Sequence, residues 1–491
     1  MLLLGIDIGS SSVKVALVEA SAGTCVASAM YPPTELEIHA PQPGWAEQNP
    51  DTWWHCLKEA LHLLSQSGAD LRQIGAVGIS YQMHGLVCTD KNGHPLRPSI
   101  IWCDSRAVPY GARAFEALGE SWSLSHLLNS PGNFTAAKLA WVRENEPHVF
   151  EQIHHCMLPG DYIAFRLCGE IHTTVSGLSE GIFWDFAENR LSSELLSYFQ
   201  IPADFIPSLV PTFGEQGRVS AAAAAELGLP AGIPLSYRAG DQPNNAFSLN
   251  VLKPGEIAAT AGTSGVVYGV SETVAYDPQS RVNTFAHVNH GAETRLGVLL
   301  CINGTGILNS WLKRYLGQHL SYHEMNHLAG AVAPGSEGLH ILPFGNGAER
   351  VLANQNPGCH ISGLDFNRHG AGHLFRAAQE GIVFSFHYGM EIMSHMGIRP
   401  QVIRAGKANM FLSPIFARSL ASLTGAPIEL YNTDGAQGAA RAAGVGAGLY
   451  SHFEQAFAGL SCIEHIEPEQ ELGDILREVY PRWQAALAQT L

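Results

Sequence analysis

The first stretch whose residue types could do chemistry lies near the start of the chain, at Asp7. This residue ends a short apolar run and is followed by Gly9 and then by three serines. An aspartate at a strand end could hold Mg²⁺ while the amides of the glycine turn bind phosphate. It could equally accept hydrogen bonds from the amides of its own turn. The stretch alone leaves both interpretations open.

A second carboxylate, Asp241, lies where the second half of the chain begins. It follows a stretch that ends at Gly240 and precedes Pro243. A carboxylate in this position can remove the proton from a hydroxyl group that receives a phosphoryl group, and such a transfer needs little other covalent help. The alternative is that Asp241 caps a helix that starts near Pro243. Taken alone, the two interpretations are equally good.

A histidine, His84, stands between a predicted strand end and Gly85. An imidazole at such a point could hydrogen-bond a polar substrate. A histidine that only satisfies neighbouring backbone groups is at least as good an interpretation from the residues alone. His84 is therefore a candidate binding residue whose role needs support from other parts of the sequence.

The segment from residue 321 to residue 333 contains His323-Glu324-Met325-Asn326-His327, which fits the H-E-x-x-H pattern of zinc hydrolases. A catalytic zinc needs three protein ligands, and the longer form of the motif would place the third at position 333, which is alanine. Ser321 and Glu324 instead have the spacing of a capping box. The apolar residues form one helical stripe, made of Tyr322, Met325, Leu328, Ala329 and Val332. We therefore predict a capped helix with solvated histidines.

Two glycine hairpins organise the chain around these residues. The first has a strand up to Asp7, a serine-rich turn, and a second strand in which Val13, Val15 and Leu17 alternate with other residues, which is the period of a half-buried antiparallel strand. The second hairpin repeats this plan, with residues 262–266 aligned to residues 9–13. Two such hairpins, opening halves of similar length, predict a duplicated domain with a phosphate-binding turn in each half.

Other segments indicate the fold class. Residues 51–68 have helical periodicity, with Asp51 as N-cap and Gly68 as the stop. Residues 74–80 and 98–104 are apolar runs with few charges, typical of strands buried in a sheet. Residues 229–234 form a Pro/Gly connector that marks the candidate domain boundary. The alternation of strands and helices places the chain in the α/β class.

Composition excludes several classes of function. A chain of 491 residues is too long for one ordinary core, so two or three domains are expected. With 28 Lys+Arg against 44 Asp+Glu, the net charge of -16 argues against binding to nucleic acid and to anionic membrane surfaces. A phosphorylated small ligand stays compatible, because Mg²⁺ and backbone amides can supply a local positive field. Nine scattered cysteines, no basic N-terminal region and no apolar run of membrane-spanning length predict a cytoplasmic protein with reduced core or near-core thiols.

Together these stretches resemble the FGGY carbohydrate kinases over essentially the whole chain. In the first half the matching segments are GIDIGSSSVKVAL, PGWAEQNPDTWW, QMHG, IIWCDSRA, GNFTAAKLAWVRENEP and LPGDYIAFRLCGE. In the second half AGDQPNNAF, TAGTSGVVYGV, LPFGNGAERVLANQNPGCHISGLDF and GAQGAARAAGVGAG follow in the family's order. The QMHG loop is specific and is similar to the substrate loop of the family members that act on xylulose. The glycine runs alone are not specific.

The resemblance implies an α/β protein of two actin-like, ribonuclease-H-like domains with a cleft between them. The N-terminal domain, residues 1–236, would bind the sugar, and the C-terminal domain, residues 237–491, would bind ATP. The implied activity is the ATP- and Mg²⁺-dependent phosphorylation of D-xylulose at its C5 hydroxyl, in pentose catabolism. The alternatives are a kinase of this family for another ketopentose or polyol, and an actin-like ATPase without sugar transfer. The oligomeric state stays open, with a homodimer among the expected arrangements.

The resemblance also implies roles for particular residues. Asp241 would be the general base on the sugar hydroxyl, and Asp7 would position Mg²⁺ directly or through water. Met83 and His84 would contact the ketopentose, with Gln242 beside the base. The phosphate and nucleotide contacts would be Ser10, Ser11, Ser12, Gly262, Thr263, Ser264, Gly406 and Asn409.

The sequence departs from the family pattern at three places. Gln242 stands where the family usually has an asparagine, and although either amide can donate to a sugar hydroxyl, glutamine is longer. Residues 405–408, Ala-Gly-Lys-Ala, replace a Gly-Gly-Gly-Ala segment, so Lys407 could reach a phosphate or extend into solvent. Residues 347–352, Gly-Ala-Glu-Arg-Val-Leu, replace Gly-Glu-Arg-Thr-Pro, an insertion-like change.

Overall fold

The structure, a computed structural model, describes all residues from 1 to 491. The chain divides into two compact units. Unit 1 comprises Met1–Asn250, Phe285–Leu296 and Thr433–Leu460, and unit 2 comprises Val251–Thr284, Gly297–Asn432 and Ser461–Leu491. Two units of mixed helices and strands confirm the expected two-domain α/β fold. The division into residues 1–236 and 237–491 stays a prediction.

Helices are distributed over both units. In chain order they are α1 (Pro50–Gln66), α2 (Val108–Leu118), α3 (Glu120–His126), α4 (Thr135–Asn145), α5 (Pro147–Phe150), α6 (Pro159–Cys168), α7 (Val175–Glu180), α8 (Ser193–Phe199), α9 (Ala221–Leu227), α10 (Asp241–Ser248), α11 (Gly306–Tyr315), α12 (Tyr322–Gly330), α13 (Ala371–His395), α14 (Pro414–Thr424), α15 (Gly435–Gly446), α16 (Phe453–Ala456) and α17 (Gln470–Ala488). None of them combines the length and the apolar character that crossing a lipid bilayer requires.

The strands alternate with these helices. In chain order they are β1 (Leu2–Ile8), β2 (Val13–Glu19), β3 (Cys25–Tyr31), β4 (Glu47–Gln48), β5 (Ile74–Tyr81), β6 (Val87–Thr89), β7 (Ser99–Ile100), β8 (His155–Met157), β9 (His172–Thr173), β10 (Trp184–Asp185), β11 (Arg190–Leu191), β12 (Ser208–Leu209), β13 (Leu235–Gly240), β14 (Glu256–Ala261), β15 (Gly265–Ser271), β16 (Asn283–Ala286), β17 (Leu296–Ile302), β18 (His340–Phe344), β19 (Gly358–Ser362), β20 (Val402–Gly406), β21 (Ile428–Tyr431) and β22 (Cys462–Ile466). The connector at residues 229–234 is the loop between α9 and β13.

The main sheet of unit 1 has the strand order β13-β5-β1-β2-β3. Strands β13, β5 and β1 run parallel, and β2 is antiparallel to both β1 and β3. Residue Val15 of β2 belongs to the core that includes α1, whereas Val18 packs with Ala440 of α15, and both valines are fully buried. The expectation of a half-buried β2 is therefore wrong, because helices cover both faces of the sheet and leave no face to water.

A seven-stranded sheet, most of it in unit 2, has the order β16-β17-β15-β14-β20-β21-β22. Strand β14 is antiparallel to β15 and parallel to β20, which is parallel to β21. The run β21-β20-β14-β15-β17 therefore repeats the order β13-β5-β1-β2-β3 of unit 1. Each run places a hairpin beside two parallel strands. The duplicated plan predicted from the two glycine hairpins is confirmed at the level of strand order.

The cap of helix α1 differs from the expectation. The side chain of Asn49 accepts a hydrogen bond from Asp51 N at 3.0 Å and is the N-cap. Pro50 occupies the first helical position, where a missing N–H leaves no hydrogen bond unmade. Asp51 therefore lies in the first turn, where its negative charge is favourable next to the helix N-terminus. The helix ends with Ser67 as its C-cap, one residue before the predicted stop at Gly68.

Two further expectations are corrected. The apolar run at residues 98–104 forms only the two-residue strand β7, since the chain turns at Trp102 and Asp104 is bound by the Arg106 guanidinium at 2.7 Å. All nine cysteines are free thiols, but they are not all core or near-core residues. The exposed ones are Cys25, Cys103, Cys359 and Cys462.

Candidate active site

The carboxyl ends of three neighbouring parallel strands bring together predicted site residues in unit 1. In the register of the sheet, Tyr81 at the end of β5 lies beside the end of β1 on one side and beside Gly240 of β13 on the other. Asp7 is the penultimate residue of β1, and Asp241 directly follows Gly240. Since the carboxyl ends of parallel strands meet at one edge, Asp7, the loop that carries His84, and Asp241 lie at the same edge of the sheet.

Asp241 is the first residue of α10 and does not cap it. The N-cap position is Gly240, and no side chain makes a capping hydrogen bond. Burial, and next the negative charge of Asp7, raise the pKa of Asp241 to about 7, while hydrogen bonds from Gln242 oppose the shift. A carboxylate whose pKa lies near neutrality suits a general base. The helix-cap interpretation is therefore wrong, and the role as a base stays a prediction that this environment favours.

The carboxylate of Asp7 lies against the start of α15. A Cβ on Gly435, the first residue of α15, would lie 2.4 Å from Asp7 Oδ2, so a glycine is needed there. Burial raises the pKa of Asp7, a hydrogen bond from Ser80 lowers it, and the charge of Asp434 raises it. Asp434 is paired with Lys14, with Nζ 2.6 Å from Oδ2. Negative charge is thus concentrated around Asp7, and a bound cation would offset it.

Met83 and His84 lie in the loop that follows β5. Met83 packs against Gly240, where an added Cβ would lie 2.5 Å from Met83 Cγ. His84 has a φ of 62°, a left-handed conformation that residues other than glycine rarely adopt. Two hydrogen bonds stabilise it, one from Lys138 Nζ to His84 O at 2.9 Å and one between His84 Nδ1 and Glu180 O at 2.8 Å. The loop is therefore held from two sides.

The ring of His84 is fixed in orientation, and its Nδ1 is fixed as a hydrogen-bond donor. Phe134 contacts it edge-to-face with ring centroids 4.8 Å apart, and Phe285 lies at 5.4 Å. A carbonyl oxygen can only accept a hydrogen bond, so Nδ1 must carry the proton that faces the Glu180 carbonyl. In the neutral ring Nε2 is then the acceptor. A sugar hydroxyl can donate a hydrogen bond to such an acceptor nitrogen.

Two buried residues beside His84 were missed by reasoning from the sequence. Lys138 of α4 is fully buried, and burial lowers its pKa to about 7. Its Nζ also donates to Ile101 O at 3.0 Å. Glu180, the last residue of α7, is only 2% exposed. The apolar residues on both sides of Lys138 in the sequence were the one available sign that this lysine is buried. Nothing around Glu180 in the sequence distinguishes it from a surface glutamate.

The turn from Ser10 to Ser12 is held in shape by surrounding groups. Gly9 N donates to Ser12 O at 3.0 Å and closes the turn. Gln48 Nε2 donates to Ser10 O at 2.7 Å, and Trp102 Nε1 donates to Ser10 Oγ at 3.2 Å. All of these partners belong to unit 1. The shape of the turn is therefore set by the protein before any phosphate binds.

The corresponding turn of unit 2, residues 262–264, joins β14 to β15. The carbonyl oxygen of Gly262 accepts hydrogen bonds from Gly306 N at 2.8 Å and from Thr305 Oγ1 at 2.9 Å. The start of α11 therefore holds this turn. A Cβ on Gly262 would lie 3.6 Å from Asn409 Nδ2, so the two predicted nucleotide contacts are neighbours.

Gly406 and Asn409 lie at the end of β20, the strand parallel to β14. Gly406 is the last residue of β20, and Asn409 has a φ of 54° at the start of a 3₁₀ turn. Between them, Lys407 pairs with Glu464, with Nζ 3.0 Å from Oε2, and stays partly exposed. Lys407 is thus an exposed lysine in a surface ion pair, which agrees with the second interpretation, a lysine that extends into solvent.

Unit 2 contains a cavity of about 1250 Å³ beside this turn. Its wall includes Gly262, Thr263, Asn309, Asn326, Asn409 and Ser413 as polar neutral residues, and Arg314, Arg418, His323 and His327 as basic ones. No aspartate or glutamate lines it. In a chain with a net charge of -16, a wall without acids favours an anionic ligand. The volume is ample for a nucleotide.

Helix α12, which carries the H-E-x-x-H pattern, forms part of this wall. Its capping box is confirmed: Glu324 Oε2 accepts from Ser321 N at 2.6 Å, and Ser321 Oγ accepts from Glu324 N at 3.2 Å. His323 and His327 are exposed and line the cavity. The structure contains no group of three His, Cys, Asp or Glu residues placed to hold a metal ion. The predicted apolar stripe is narrower than expected, because Tyr322 and Leu328 are exposed.

Each unit thus presents groups with a chemical use of their own. A carboxylate with a pKa near 7 is useful where a hydroxyl group becomes a nucleophile, and a cavity without acids beside a glycine turn suits a polyphosphate. These properties define a class, the phosphotransferases that act on an alcohol group. Residues 2–248 match the N-terminal domain of the FGGY family of carbohydrate kinases, and residues 257–447 match its C-terminal domain. The chain belongs to this family and is a sugar kinase.

Individual relatives are similar over almost their whole length. The chain is 31% identical to a xylulose kinase of Klebsiella pneumoniae, over 90% of this chain and 89% of the relative. It is 29% identical to a xylulose kinase of Bacillus subtilis strain 168, over 97% and 96%. The crystal structure of xylulose kinase from Rhodospirillum rubrum superimposes with a TM-score of 0.90 at 27% identity, covering 100% of this chain and 99% of that one.

Proposed function

We propose that this protein transfers the γ-phosphoryl group of ATP to the C5 hydroxyl of D-xylulose, giving D-xylulose 5-phosphate and ADP. The observation that carries the proposal is the position of Asp241, with a pKa near 7, at the strand edge that also presents the QMHG loop. The relatives named xylulose kinase support the choice of sugar, because they are similar over nearly the whole chain.

In this proposal Asp241 acts as the general base. Its carboxylate accepts the proton of the C5 hydroxyl, and the hydroxyl oxygen forms the bond to the γ-phosphorus. The bond between that phosphorus and the oxygen bridging to the β-phosphate breaks, and ADP leaves with the electron pair. A base raised to a pKa near 7 is ionised in a large fraction of molecules at neutral pH and still accepts a proton readily.

The sugar would be held by residues of unit 1. His84 Nε2 accepts a hydrogen bond from one sugar hydroxyl, because Nδ1 is engaged with Glu180 O. Met83 offers an apolar contact beside Gly240, and Gln242, which is partly exposed next to the base, donates from its amide. The left-handed backbone of His84, held by Lys138, fixes the distance between these groups.

ATP would occupy the cavity of unit 2. Gly262, Thr263 and Ser264 approach the phosphates through their backbone amides, and Gly406 and Asn409 lie beside the nucleoside. The serine turn of unit 1, Ser10 to Ser12, would contact the transferred phosphate. The absence of acids from the wall supports this assignment, since a carboxylate there would repel a triphosphate.

The residues around Asp7 fit Mg²⁺. The ion prefers oxygen ligands and takes only one or two carboxylates from a protein, keeping water in its other positions. Asp7 supplies such a carboxylate, whose pKa is raised first by burial and then by the charge of Asp434, and a bound cation would favour its ionised form. When bound, the ion supplies charge neutralisation for the transferred phosphoryl group. The fixed position of Asp7 against Gly435 would orient it.

A coupled assay of ADP release tests the function. The purified full chain is assayed with ATP and Mg²⁺ on D-xylulose, D-ribulose, L-ribulose, xylitol, D-fructose, glycerol and no sugar. We expect the highest kcat/KM with D-xylulose and phosphorus NMR of the product with the phosphate on C5. A higher kcat/KM for another sugar or polyol would assign that substrate instead. ADP release that does not depend on a sugar would indicate an ATPase without transfer.

A further inference from the structure

One buried carboxyl group at this edge has no role in the proposed mechanism. Glu180 is 2% exposed, and the one hydrogen-bonding neighbour of its carboxyl group is the hydroxyl of Tyr81, which lies outside normal hydrogen-bond geometry. A buried polar group whose hydrogen bonds are not satisfied is costly to a folded protein, and it calls for an explanation such as a ligand, a chemical step or a bound water. The carboxyl of Glu180 therefore calls for a partner.

The position of this carboxyl points to the sugar. A Cβ on Gly240 would lie 2.6 Å from Glu180 Oε2 and 2.5 Å from Met83 Cγ, so the carboxyl and the methionine contact the same point of the backbone. That point immediately precedes Asp241. The main-chain oxygen of Glu180 is also the acceptor for His84 Nδ1, at 2.8 Å. Glu180 thus contacts His84 through its main chain, and its side chain lies against Gly240 between Met83 and Asp241 in the proposed sugar site.

Burial favours the neutral form of the Glu180 carboxyl group. Burial raises the pKa of Glu180 well above its usual range, and the charges of Asp241 and Asp161 raise it further. The hydroxyl of Tyr81 and the charge of Lys138 act in the opposite direction but are smaller than the effect of burial. A protonated carboxyl has one donor and one acceptor on the same group. Such a group can bind a sugar hydroxyl in both directions.

The helix that carries Glu180 is rigidly fixed. Ser176 Oγ donates to Ala286 O at 3.2 Å, and Ser179 Oγ accepts from Ala286 N at 3.0 Å. Just after the helix, Ile182 has a φ of 61°, which is rare for a β-branched residue and marks local strain. A group held this firmly can discriminate between hydroxyl configurations, since it cannot follow a displaced partner.

We propose that Glu180 is a specificity-determining residue that hydrogen-bonds a secondary hydroxyl of the acceptor sugar and selects its configuration. The proposal rests on the proposed function, because that function supplies the sugar. It adds a residue to the sugar site that neither the motifs nor the spacing of the sequence indicated. Its consequence is a preference between epimers that depends on one carboxyl group.

Steady-state kinetics with D-xylulose and with D-ribulose, its C3 epimer, test this at saturating ATP. Glu180→Ala should raise the KM for D-xylulose about tenfold or more and reduce the ratio of kcat/KM between the epimers about tenfold, because it removes one buried hydrogen bond. The KM for ATP should stay within about twofold. Glu180→Gln keeps the length, one donor and one acceptor, and should stay within about threefold of wild type. Glu180→Asp keeps the carboxyl group but shortens its reach, and should resemble Glu180→Ala.

A matched control removes a hydrogen bond of the same helix without touching the carboxyl. Ser176→Ala should lower the thermal stability and leave the epimer ratio unchanged. Isothermal titration with D-xylulose in the absence of ATP gives a second readout, in which Glu180→Ala should weaken binding by the same factor as its KM rises. If circular dichroism shows that Glu180→Ala does not fold, the comparison of Glu180→Gln with Glu180→Asp tests the hydrogen-bond role of Glu180 instead.

The outcomes separate this proposal from the proposed function. Suppose that the wild-type protein phosphorylates a sugar and that the Glu180 variants keep the wild-type KM and epimer ratio. This result would overturn the role of Glu180 and leave the proposed function standing. If Glu180→Asp behaves as wild type, the hydrogen-bond role is also overturned. Wild-type protein that phosphorylates no sugar overturns both. If the preferred sugar is a different one, the same variants are measured on that sugar and its epimer, and an unchanged ratio there overturns the role of Glu180.

Discussion

The hairpin β1–β2 of unit 1 and the hairpin β14–β15 of unit 2 share a backbone plan but not their chemistry. Each is the antiparallel pair at the centre of the same strand order. In the first, Asp7 lies opposite Lys14 across the strands. In the second, the aligned position is Thr260, opposite Val266, and neither residue is charged.

A helix start approaches both hairpins, and in both cases through a glycine. Gly435 of α15 leaves room for the side chain of Asp7, where a Cβ would lie 2.4 Å from the carboxylate. Gly306 of α11 leaves room for the backbone of Gly262, where a Cβ would lie 2.3 Å from the carbonyl oxygen. In the proposed function the side chains separate the roles, with acids where a proton and a cation would be handled and none where a triphosphate would bind.

The largest effect should come from the base of unit 1. Asp241→Ala should lower kcat about 10²- to 10⁴-fold, since general base catalysis is worth this much, while the KM values change little. The fold should persist, because Asp241 does not cap α10. Asp70→Ala, which removes an exposed carboxylate bound by Arg72, is the control and should leave kcat unchanged. Near-normal turnover of Asp241→Ala would show that unit 1 does not supply the base.

A smaller effect is expected at the acid of the first hairpin. Asp7→Asn should raise the Mg²⁺ concentration needed for half-maximal activity about 10- to 100-fold, as other losses around metal sites do. The aligned change in the second hairpin, Thr260→Val, should leave the Mg²⁺ dependence unchanged. Titrations of activity against Mg²⁺ compare the two variants. Equal shifts in both would contradict the division of roles between the hairpins.

A substitution in the glycine turn of unit 2 should change the KM for ATP and leave the KM for the sugar unchanged. Gly262→Ala has room in the protein, since its Cβ would meet Asn409 Nδ2 at 3.6 Å, so the thermal stability should not fall. The added methyl group would keep a phosphate from approaching the turn, and the KM for ATP should rise about tenfold, or 1.4 kcal/mol. Gly306→Ala has no such room and should lower the melting temperature. A parallel rise in the sugar KM of Gly262→Ala would argue against a nucleotide role.

The smallest effect should come from the H-E-x-x-H helix. His323→Ala should change the KM for ATP less than about threefold and leave kcat unchanged, and a zinc-selective chelator should have no effect on wild type. The helix depends on its cap, so Ser321→Ala should cost about 1 kcal/mol of stability instead. Metal analysis of the purified protein provides the decisive measurement. Stoichiometric zinc in the purified protein would support the zinc hydrolase interpretation and would indicate a metal site in unit 2.

Local patterns were predicted well from the sequence. The two hairpins, strand β5 and the capping box of Ser321 and Glu324 depend on neighbours within a few residues, so their residues alone indicate them. The position of a helix cap was harder to predict. Asn49 and Asp51 are both residue types that favour the N-cap position, and Asn49 is the cap because Pro50 occupies the first helical position. The burial of β2 was misjudged, because an alternating sequence of apolar and other residues indicates only one buried face. The helix that covers the other face, α15, lies more than 400 residues further along the chain.

The order of the motifs and the positions of Asp7 and Asp241 beside glycine turns were determined by the sequence itself, because turn chemistry and hydrophobic period are local properties. Only the tertiary structure decided what surrounds those residues. It buried Glu180 against Gly240, fixed the proton of His84 through Glu180 O, and placed α12 on the wall of a cavity without acids. Each of these depends on contacts between residues far apart in the chain, and burial, which sets their pKa values and partners, exists only once the chain is packed.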